Sequence, residues 1–299
     1  MKKLMPKSKP SLTVVGAGRL GSALAIALSR VGYPIDTLVS RHRARLKAAA
    51  RLLDEKVTLL VLEELRRVGE IVLITTPDDQ LSSVTTQLRS VQINRRQPPV
   101  VLHTSGAVSS RILSPLSEKG WRIGSIHPLV SVSEPVSGAK SLVSAFWCLE
   151  GDRKAVQQSR RIVEDLDGHS FSIKSSAKPL YHAAAVMSSG NIVALFDTAL
   201  DMLERSGLKR DRAHQVLIPL LQSTMSNLCT SSPAKALTGT FSRGDVATVE
   251  RHLKALAGKD LRDARELYRL LGRKSVALAE ENGLDKVTAR KIGQLLGEQ

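Results

Sequence analysis

Hydrophobic and polar positions follow two different patterns along the chain, and the change falls near Lys174. Before it, short apolar runs typical of buried strands alternate with stretches that repeat apolar residues every three or four positions, as helices do. The predicted strands are residues 12–15, 35–40, 56–60, 70–75, 99–103, 121–126, 146–150 and 168–173. The predicted helices are residues 22–30, 43–53, 80–89 and 153–167, with a long loop between the strands at 121–126 and 146–150. This alternation predicts an α/β domain with a doubly wound parallel sheet for residues 1–174.

After Lys174 the strand signals stop and helical periodicity takes over. Helices are predicted for residues 179–205, 212–228 and 264–279. In the last of these, Leu267, Leu271 and Leu278 share one stripe. We therefore expect a second, all-helical domain of residues 175–299.

The first predicted strand leads into a glycine-rich turn and then a helix. The turn is Gly16-Ala17-Gly18-Arg19-Leu20-Gly21. In this setting the first glycine allows a tight turn, the second lets the backbone approach a diphosphate, and the third lets the helix pack on the strand. Backbone N–H groups at the helix start would then bind the phosphates. Residues 16–21 are predicted to bind a dinucleotide, the alternative being a plain strand–helix turn.

Length and composition fit a globular protein of two domains, since the 299 residues include 42% hydrophobic and 24% charged ones. The sequence contains no uninterrupted apolar run of about 18 residues, so a membrane-spanning helix is not expected. Residues 1–10 are basic without a following apolar stretch, which predicts a frayed tail rather than a signal peptide. Cys148 and Cys229 show no metal or redox spacing, which favours free thiols, a cytoplasmic location and no bound metal.

The chain is strongly basic, with 44 Lys and Arg against 28 acidic residues and a net charge of +16. Such an excess attracts anions, including phosphorylated cofactors and nucleic acid. Aromatic residues make up only 3% of the chain, and the basic residues are scattered over 41–51, 66–67, 95–96, 160–161 and 262–274. Because base stacking needs aromatic side chains and no nucleic-acid-binding motif is present, small anionic ligands are expected rather than specific nucleic-acid binding.

The end of the second predicted strand bears on the choice of nicotinamide cofactor. This strand end lies beside the adenosine ribose, where an acidic residue binds NAD and a basic one accepts the 2′-phosphate of NADP. Ser40, Arg41 and Arg43 stand there, whereas Asp36 comes too early in the strand. A hydroxyl and guanidinium groups suit a phosphate. We therefore predict NADP, the alternative being that these arginines only begin a solvated helix.

Three further strand ends carry small polar residues. Since ligands bind at the carboxyl ends of strands in such a sheet, Thr75, Thr76 and Pro77 are predicted to border the nicotinamide end of the cofactor. Ser105 is expected to bond a substrate oxygen, and His127 to direct its imidazole into the same crevice. The alternatives are ordinary turns and a histidine hydrogen-bonded in a loop.

The helical half offers a proton donor and a substrate clamp. Lys178, His182 and Ser189 share one face of a predicted helix rich in small residues. Reduction of a carbonyl needs a proton donor, which His182 or Lys178 can supply, histidine being the side chain that titrates near neutral pH. The alternative is a small-residue helix that packs tightly against the other domain. Arg243 is a candidate to bind a substrate carboxylate, with Asp245 as its partner or as a helix cap.

Several motifs in order extend this interpretation over nearly the whole chain. They are GAGRLG, TTPDD, HTSGA, SIHPL, LYHAAAV, LTGTFSRGD and TVERHLKAL, between about Leu12 and Gly283. Together they resemble Rossmann-like oxidoreductases with a C-terminal domain of unknown function 2520. That family is similar in plan to the 6-phosphogluconate dehydrogenase-like enzymes, which include ketopantoate reductase and pyrroline-5-carboxylate reductase. The resemblance implies a helical second domain that usually forms a homodimer interface, and a substrate cleft between the domains.

The proton donor cannot be carried over from those relatives. Their hydroxyacid dehydrogenases have a Lys and an Asn one helical turn apart, whereas the corresponding stretch here offers His182, Ser189 and Asn191, with Lys178 one turn earlier. The prediction of His182 as the donor therefore rests on its chemistry and on its place in the LYHAAAV motif. Asn191 is a further candidate in the site.

These observations predict an NADPH-dependent oxidoreductase that transfers a hydride to the carbonyl of a small 2-oxo acid of the ketopantoate type. Ser105, His127 and Arg243 would position the substrate, and His182 would give the proton. The alternatives are a cyclic imine reductase, a non-catalytic NADP-binding sensor or scaffold, and a nucleic-acid-associated protein whose affinity falls steeply with salt.

Overall fold

The computed structural model describes residues 9–93 and 97–297. The predicted Arg95–Arg96 pair and residues 1–8 of the predicted tail lie outside these ranges. The strands of its sheet are β1 (Leu12–Val15), β2 (Ile35–Val39), β3 (Thr58–Leu60), β4 (Ile71–Ile74), β5 (Val100–His103), β6 (Arg122–Pro128), β7 (Phe146–Gly151) and β8 (His169–Ser172).

The eight strands lie in the order β3-β2-β1-β4-β5-β6-β7-β8. The first six run parallel, β7 is antiparallel to β6, and β8 is parallel to β7. The strand order reverses between β1 and β4, which is where ligands bind in doubly wound sheets. The predicted α/β class is confirmed, with the last two strands running against the other six.

Helices of the first part of the chain cover both faces of this sheet, and helices near its end form a separate core. They are α1 (Arg19–Arg30), α2 (Arg43–Ala50), α3 (Leu81–Leu88), α4 (Ser114–Ser117), α5 (Pro135–Ser141), α6 (Arg153–Asp165), α7 (Lys178–Met187), α8 (Gly190–Arg205), α9 (Arg210–Thr230), α10 (Pro233–Ala236), α11 (Val246–Ala255), α12 (Arg262–Glu281) and α13 (Lys286–Leu295). Buried residues of α11, α12 and α13 pack into a core of their own.

Alternation along the strands explains how one sheet supports two cores. In β4, Ile71 and Leu73 pack with residues of α1 and α6, while Val72 and Ile74 pack with residues of α3 and α4. Successive side chains of a strand point to opposite faces, and here both faces are covered. This explains why the central strands read as continuous apolar runs rather than as alternating ones.

Two helical boundaries differ from the pattern of the sequence. The predicted long loop contains α5, which Glu134 caps through its carboxylate and Pro135 begins at a position that needs no N–H donor. The single helix predicted for 179–205 is broken into α7 and α8 at Ser188–Ser189. Serine and the following Gly190 have low helix propensity, which favours a break at this point.

The chain forms two compact units, the first ending at Asn191 and the second beginning at Ile192. The change of pattern predicts the division earlier, near Lys174. Helix α7 has the periodicity of the helical half, but its Lys178 bonds to groups that follow or lie within β5 and β6. These contacts tie α7 to the first unit.

One helical stretch of the described chain, Ser175–Arg205, is long and apolar enough to cross a membrane, with a mean hydropathy of 1.4. Only 6% of its apolar window is buried within the chain. The stretch contains no uninterrupted apolar run of about 18 residues, because small and polar residues interrupt it while its mean hydropathy stays high.

Candidate active site

The three glycines of the turn after β1 have different surroundings. Gly16 has a φ of +115° and accepts a 2.6 Å hydrogen bond from the Thr75 hydroxyl at the end of β4. A Cβ at Gly21 would collide with the Gly16 carbonyl oxygen, whereas a Cβ at Gly18 would meet nothing within 4 Å. The turn is therefore packed tightly on its inner side and open above Gly18.

Helix α1 begins directly after this turn. Gly18 is its N-cap, and no described side chain bonds to its first N–H groups. The first turn contains no acidic residue, and Arg19 adds a positive charge. Free N–H groups and the positive end of the helix dipole attract an anion such as a diphosphate.

A cleft of about 1150 Å³ opens over this turn and extends past the carboxyl ends of the neighbouring parallel strands. The predicted site residues that line it are Gly16, Ala17, Gly18, Arg19, Leu20, Ser40, Arg41, Thr75, Thr76, Pro77, Ser105, His127 and His182. The lining also includes residues outside the predicted set, among them His42, Arg45 and Asp78. Arg45 lies in the first turn of α2, four residues after Arg41, and Asp78 follows Pro77 directly, so their closeness in sequence to the predicted residues would have found both.

The arginines after β2 face different ways. Arg41 and Arg45 line the cleft. Arg43 instead forms an exposed ion pair with Glu64, with 2.7 Å between the guanidinium and carboxylate. Two guanidinium groups thus remain on the cleft side for a ligand phosphate, and one is held by a carboxylate of the protein.

The two threonines at the end of β4 differ in what their hydroxyls can do. Thr75 uses its hydroxyl to hold the Gly16 carbonyl. The hydroxyl of Thr76 is buried and has no hydrogen-bond partner among the described residues, although Thr76 lines the cleft. A buried polar atom without a partner is costly, so the Thr76 hydroxyl suits a bond to a bound ligand.

The hydroxyl of Ser105 makes three hydrogen bonds within the protein. It donates to the Asp78 carboxylate at 2.8 Å and accepts from the backbone N–H of Val108 at 2.9 Å and of Ala107 at 3.2 Å. The single proton of this hydroxyl is therefore committed to Asp78. Ser105 shapes the turn that follows β5. To donate a hydrogen bond to a substrate oxygen, as predicted, its hydroxyl would first have to lose the hydrogen bond to Asp78.

His127 and His182 meet at the inner end of the cleft. Their ring centroids are 5.5 Å apart with the rings edge to face. Gly106 lies against both, since a Cβ there would come within 2.8 Å of the His127 Nε2 and would overlap the His182 Nδ1. The absence of a side chain at Gly106 is what allows the two imidazoles to close on this turn.

Burial and charge keep His127 and His103 neutral. Burial lowers the pKa of His127 to about 4, and the charges of His182 and Lys178 act in the same direction. Burial also lowers the pKa of His103, at the end of β5, to about 4, again with help from Lys178. At neutral pH His127 is therefore an uncharged imidazole that can donate or accept a hydrogen bond.

Lys178 lies beneath the cleft rather than in it. Its side chain is fully buried, and its Nζ donates to the Ser105 carbonyl at 2.9 Å and to the Ser125 hydroxyl at 2.5 Å. Burial lowers the pKa of Lys178, while Glu150, Cys148 and Asp78 oppose that change. Of the two proton donors considered from the sequence, His182 lines the cleft and Lys178 does not.

Two further predicted residues lie elsewhere. Asn191 is exposed in the first turn of α8 and is not among the residues that line the cleft. Arg243 belongs to the second unit, where its side chain is exposed in the turn before α11. Asp245 caps that helix by accepting a 3.0 Å bond from the Thr248 N–H, which matches one of its two predicted roles. The substrate roles of Asn191 and Arg243 stay predictions.

Two family models match the chain. Residues 3–128 match the Rossmann-like domain, and residues 145–275 match domain of unknown function 2520. Over 163 residues the chain is 27% identical to a glycerol-3-phosphate dehydrogenase [NAD(P)+] of Ehrlichia ruminantium. The match covers 50% of this chain and 49% of that protein, so the chain spans about half the length of the curated relatives it matches.

Solved structures share the whole fold at low sequence identity. A Bacteroides fragilis protein provisionally named an NADP oxidoreductase superposes with a TM-score of 0.72 at 20% identity, covering 90% of this chain and 99% of that one. Pyrroline carboxylate reductase of Plasmodium falciparum, solved with NADP bound, superposes with a TM-score of 0.57 at 12% identity, covering 98% and 100%. At these identities the likeness establishes the fold.

Proposed function

Since the chain combines a Rossmann-like domain with domain of unknown function 2520, we propose that it is a nicotinamide-dinucleotide-dependent reductase of a small molecule. The observation that carries the proposal is the cleft of the first unit. It joins an uncapped helix N-terminus at Gly18 to two imidazoles, His127 and His182. A phosphate-binding turn and groups that hydrogen-bond a substrate thus share one space.

The residues present fit a dinucleotide. The open space over Gly18 and the free N–H groups of α1 would hold the diphosphate, and the unpartnered hydroxyl of Thr76 would bond the cofactor farther along the cleft. Arg41 and Arg45 would bind the 2′-phosphate of NADP, because a guanidinium donates two parallel hydrogen bonds to a phosphate. Their position supports a preference for NADP over NAD.

The two histidines would act on the substrate. When bound, the reduced nicotinamide supplies the hydride. His127 donates a hydrogen bond to the substrate atom that gains electron density, which stabilises the developing charge. His182 delivers the proton to that atom as a general acid. Ser105 and Asp78 hold the turn against which the substrate lies.

Two classes of substrate share this chemistry, a cyclic imine and a small 2-oxo acid. Both have a polarised double bond that accepts a hydride on carbon. The likeness in fold to a pyrroline carboxylate reductase favours the cyclic imine. A protein that binds the nucleotide but reduces neither class would instead be a sensor or scaffold.

The first experiment is a fluorescence titration of the purified protein with NADPH and with NADH. We expect NADPH to bind more tightly, and Arg41→Ala to weaken NADPH binding at least tenfold with little change for NADH, since a hydrogen bond to a charged group contributes about 1.5–3 kcal/mol. Arg43→Ala is the matched control, because its guanidinium is held by Glu64. It should bind NADPH like the unchanged protein.

The outcomes separate the parts of the proposal. If neither nucleotide binds, the glycine turn is only a structural turn and the reductase proposal is wrong. If both bind equally and Arg41→Ala changes nothing, the cofactor is not selected by this arginine. Where NADPH binds, its absorbance decay with cyclic imines and with 2-oxo acids identifies the substrate class, and His182→Gln should slow that decay.

We also propose that the protein is a homodimer paired through α8 and α9, acting in the cytoplasm. Within the chain α8 buries only Leu200 and α9 only Ala213, although both helices are rich in apolar residues. Helices with large exposed apolar faces are typical of protein–protein interfaces. The free state of Cys148 and Cys229 agrees with a reducing compartment.

A further inference from the structure

Lys178 places a buried amino group beneath the turn that contacts His127. It is the first residue of α7, it is fully buried, and both of its hydrogen-bond partners are uncharged. Burying a lysine without a direct counter-ion is expensive, so the arrangement is not explained by stability alone. One of its partners is the carbonyl of Ser105, which precedes Gly106, and Gly106 contacts His127.

Tyr181, one turn along the same helix, holds the other side of His127. Its hydroxyl lies 2.6 Å from the His127 Nδ1, and the two rings meet edge to face. Burial, with the neighbouring Cys148, raises the pKa of Tyr181, so the phenol keeps its proton. An imidazole nitrogen is a better acceptor than a buried thiol, which favours donation of this proton to Nδ1.

The ring nitrogens of His127 then have different roles. With Nδ1 accepting from Tyr181, the ring proton of a neutral imidazole must lie on Nε2. The Nε2 is the nitrogen that lies against Gly106, on the cleft side of the ring. The titratable and charged groups around His127 are Lys178, Tyr181 and His182 from α7, Cys148, which is its partner in β7, and His103 at the end of β5.

We infer that Lys178 and Tyr181 are positioning residues for His127, which they hold as a neutral imidazole with its Nε2–H directed into the cleft. Lys178 opposes a second positive charge on the ring and holds the Ser105–Gly106 turn. Tyr181 selects the tautomer. The inference rests on the proposed function, in which that N–H polarises the double bond of the substrate, and it leaves His182 as the group that gives the proton.

Nuclear magnetic resonance of the full chain labelled with ¹⁵N-histidine tests this directly and needs neither substrate nor cofactor. His127→Asn assigns the His127 signals. From about pH 5 to about pH 8 we expect a protonated Nε2 and an unprotonated Nδ1 in the unchanged protein. Tyr181→Phe should shift both nitrogens toward the values of a mixture of tautomers. Lys178→Met should move the titration midpoint of His127 upward, although burial keeps it below the ordinary value.

The chain provides a matched control in its second unit. The Tyr268 hydroxyl lies 2.8 Å from the His252 Nδ1, with the rings again edge to face. Tyr268→Phe should change the signals of His252 and leave those of His127 in place.

Three results would overturn the inference. They are a His127 that carries its proton on Nδ1 or is an imidazolium at neutral pH, a tautomer unchanged in Tyr181→Phe, and a titration unchanged in Lys178→Met. Because the unchanged protein gives the first of these, poor folding of a variant does not leave the inference untested. Failure of the nucleotide titration would remove the proposed function while these signals still report on His127.

Discussion

Gly18 and Gly21 are three residues apart in one turn, but a side chain at the two positions should have opposite effects on stability and on binding. A Cβ at Gly21 would collide with the Gly16 carbonyl, whereas one at Gly18 would enter open space. The φ of −84° at Gly18 is one that alanine adopts readily. We expect Gly21→Ala to lower the free energy of unfolding by about 1–3 kcal/mol, as overpacking does. Gly18→Ala should change it by less than about 0.5 kcal/mol but weaken NADPH binding at least tenfold.

Urea unfolding and the nucleotide titration, run on both variants, check this pair. The expected result is a loss of stability without a special binding defect at residue 21, and the reverse at residue 18. A Gly18→Ala protein that binds NADPH as tightly as the unchanged one would show that the diphosphate does not pass over this turn.

Single residues show how far sequence pattern reaches into the site. The strand ends that bring Thr75, Ser105 and His127 to one edge follow from apolar runs and chain direction, so their common place in the cleft was predictable. What their side chains do was not. The Ser105 hydroxyl donates its proton to Asp78, and Lys178 is buried beneath the cleft. Neither could be predicted, because both depend on contacts between residues far apart in sequence.

At the scale of elements, Glu150 links segments that are far apart in sequence. Its carboxylate, in β7, accepts the Ser110 N–H and hydroxyl at 2.8 Å each and the Ser175 hydroxyl at 2.7 Å. Burial disfavours the ionised form of this carboxylate. The hydrogen bonds from Ser110 and Ser175 outweigh that effect and lower the pKa of Glu150 below its usual range. The ionised side chain therefore stabilises the fold.

Glu150→Gln should cost about 2 kcal/mol of unfolding free energy at neutral pH, because an amide cannot accept all of these bonds. The depressed pKa means that the contribution is fully present above the ordinary glutamate pKa of about 4.3 and is lost as pH falls through the lower, folded-state value. The stability difference between the variant and the unchanged protein should thus shrink in acid. Denaturant unfolding over a pH series measures it, with exposed Glu281→Gln as a control that stays near zero. A difference independent of pH would contradict the assigned carboxylate role.

The strands and helices also show why the apolar pattern of the sequence predicts where a strand lies better than it predicts strand direction or the ends of helices. The eight strands lie at the predicted positions, and for central strands such as β1 and β4 the reason is that burial on both faces demands an apolar run. The reversed direction of β7 leaves no trace in its composition. Helix α5 escapes prediction because it is short and starts at a proline, and its cap, Glu134, is a side chain whose role depends on the local turn.

For the whole molecule, the second unit exposes more apolar surface than its own small core explains. Its core is made by α11, α12 and α13, whereas α8 and α9 contribute almost nothing to burial within the chain. Val193 in α8 is 70% exposed and Leu220 in α9 is 64% exposed. An apolar face of this kind is stable in water only when it is covered. A second copy of the chain is the cover we propose, and a membrane is the competing one, since α8 lies within the apolar stretch Ser175–Arg205.

Light scattering after size-exclusion chromatography, without detergent, separates the two. A dimer should show twice the chain mass of 32.4 kDa, and its unfolding midpoint should rise with protein concentration, because association stabilises the folded state by mass action. Leu220→Glu should yield a monomer, since a carboxylate buried at an interface is left without a partner. Val287→Glu, on α13 at 66% exposure, is the matched control and should stay dimeric. A monomer at micromolar concentration, or a protein that stays dispersed only with detergent or lipid, would rule out the dimer and leave these helices to another partner.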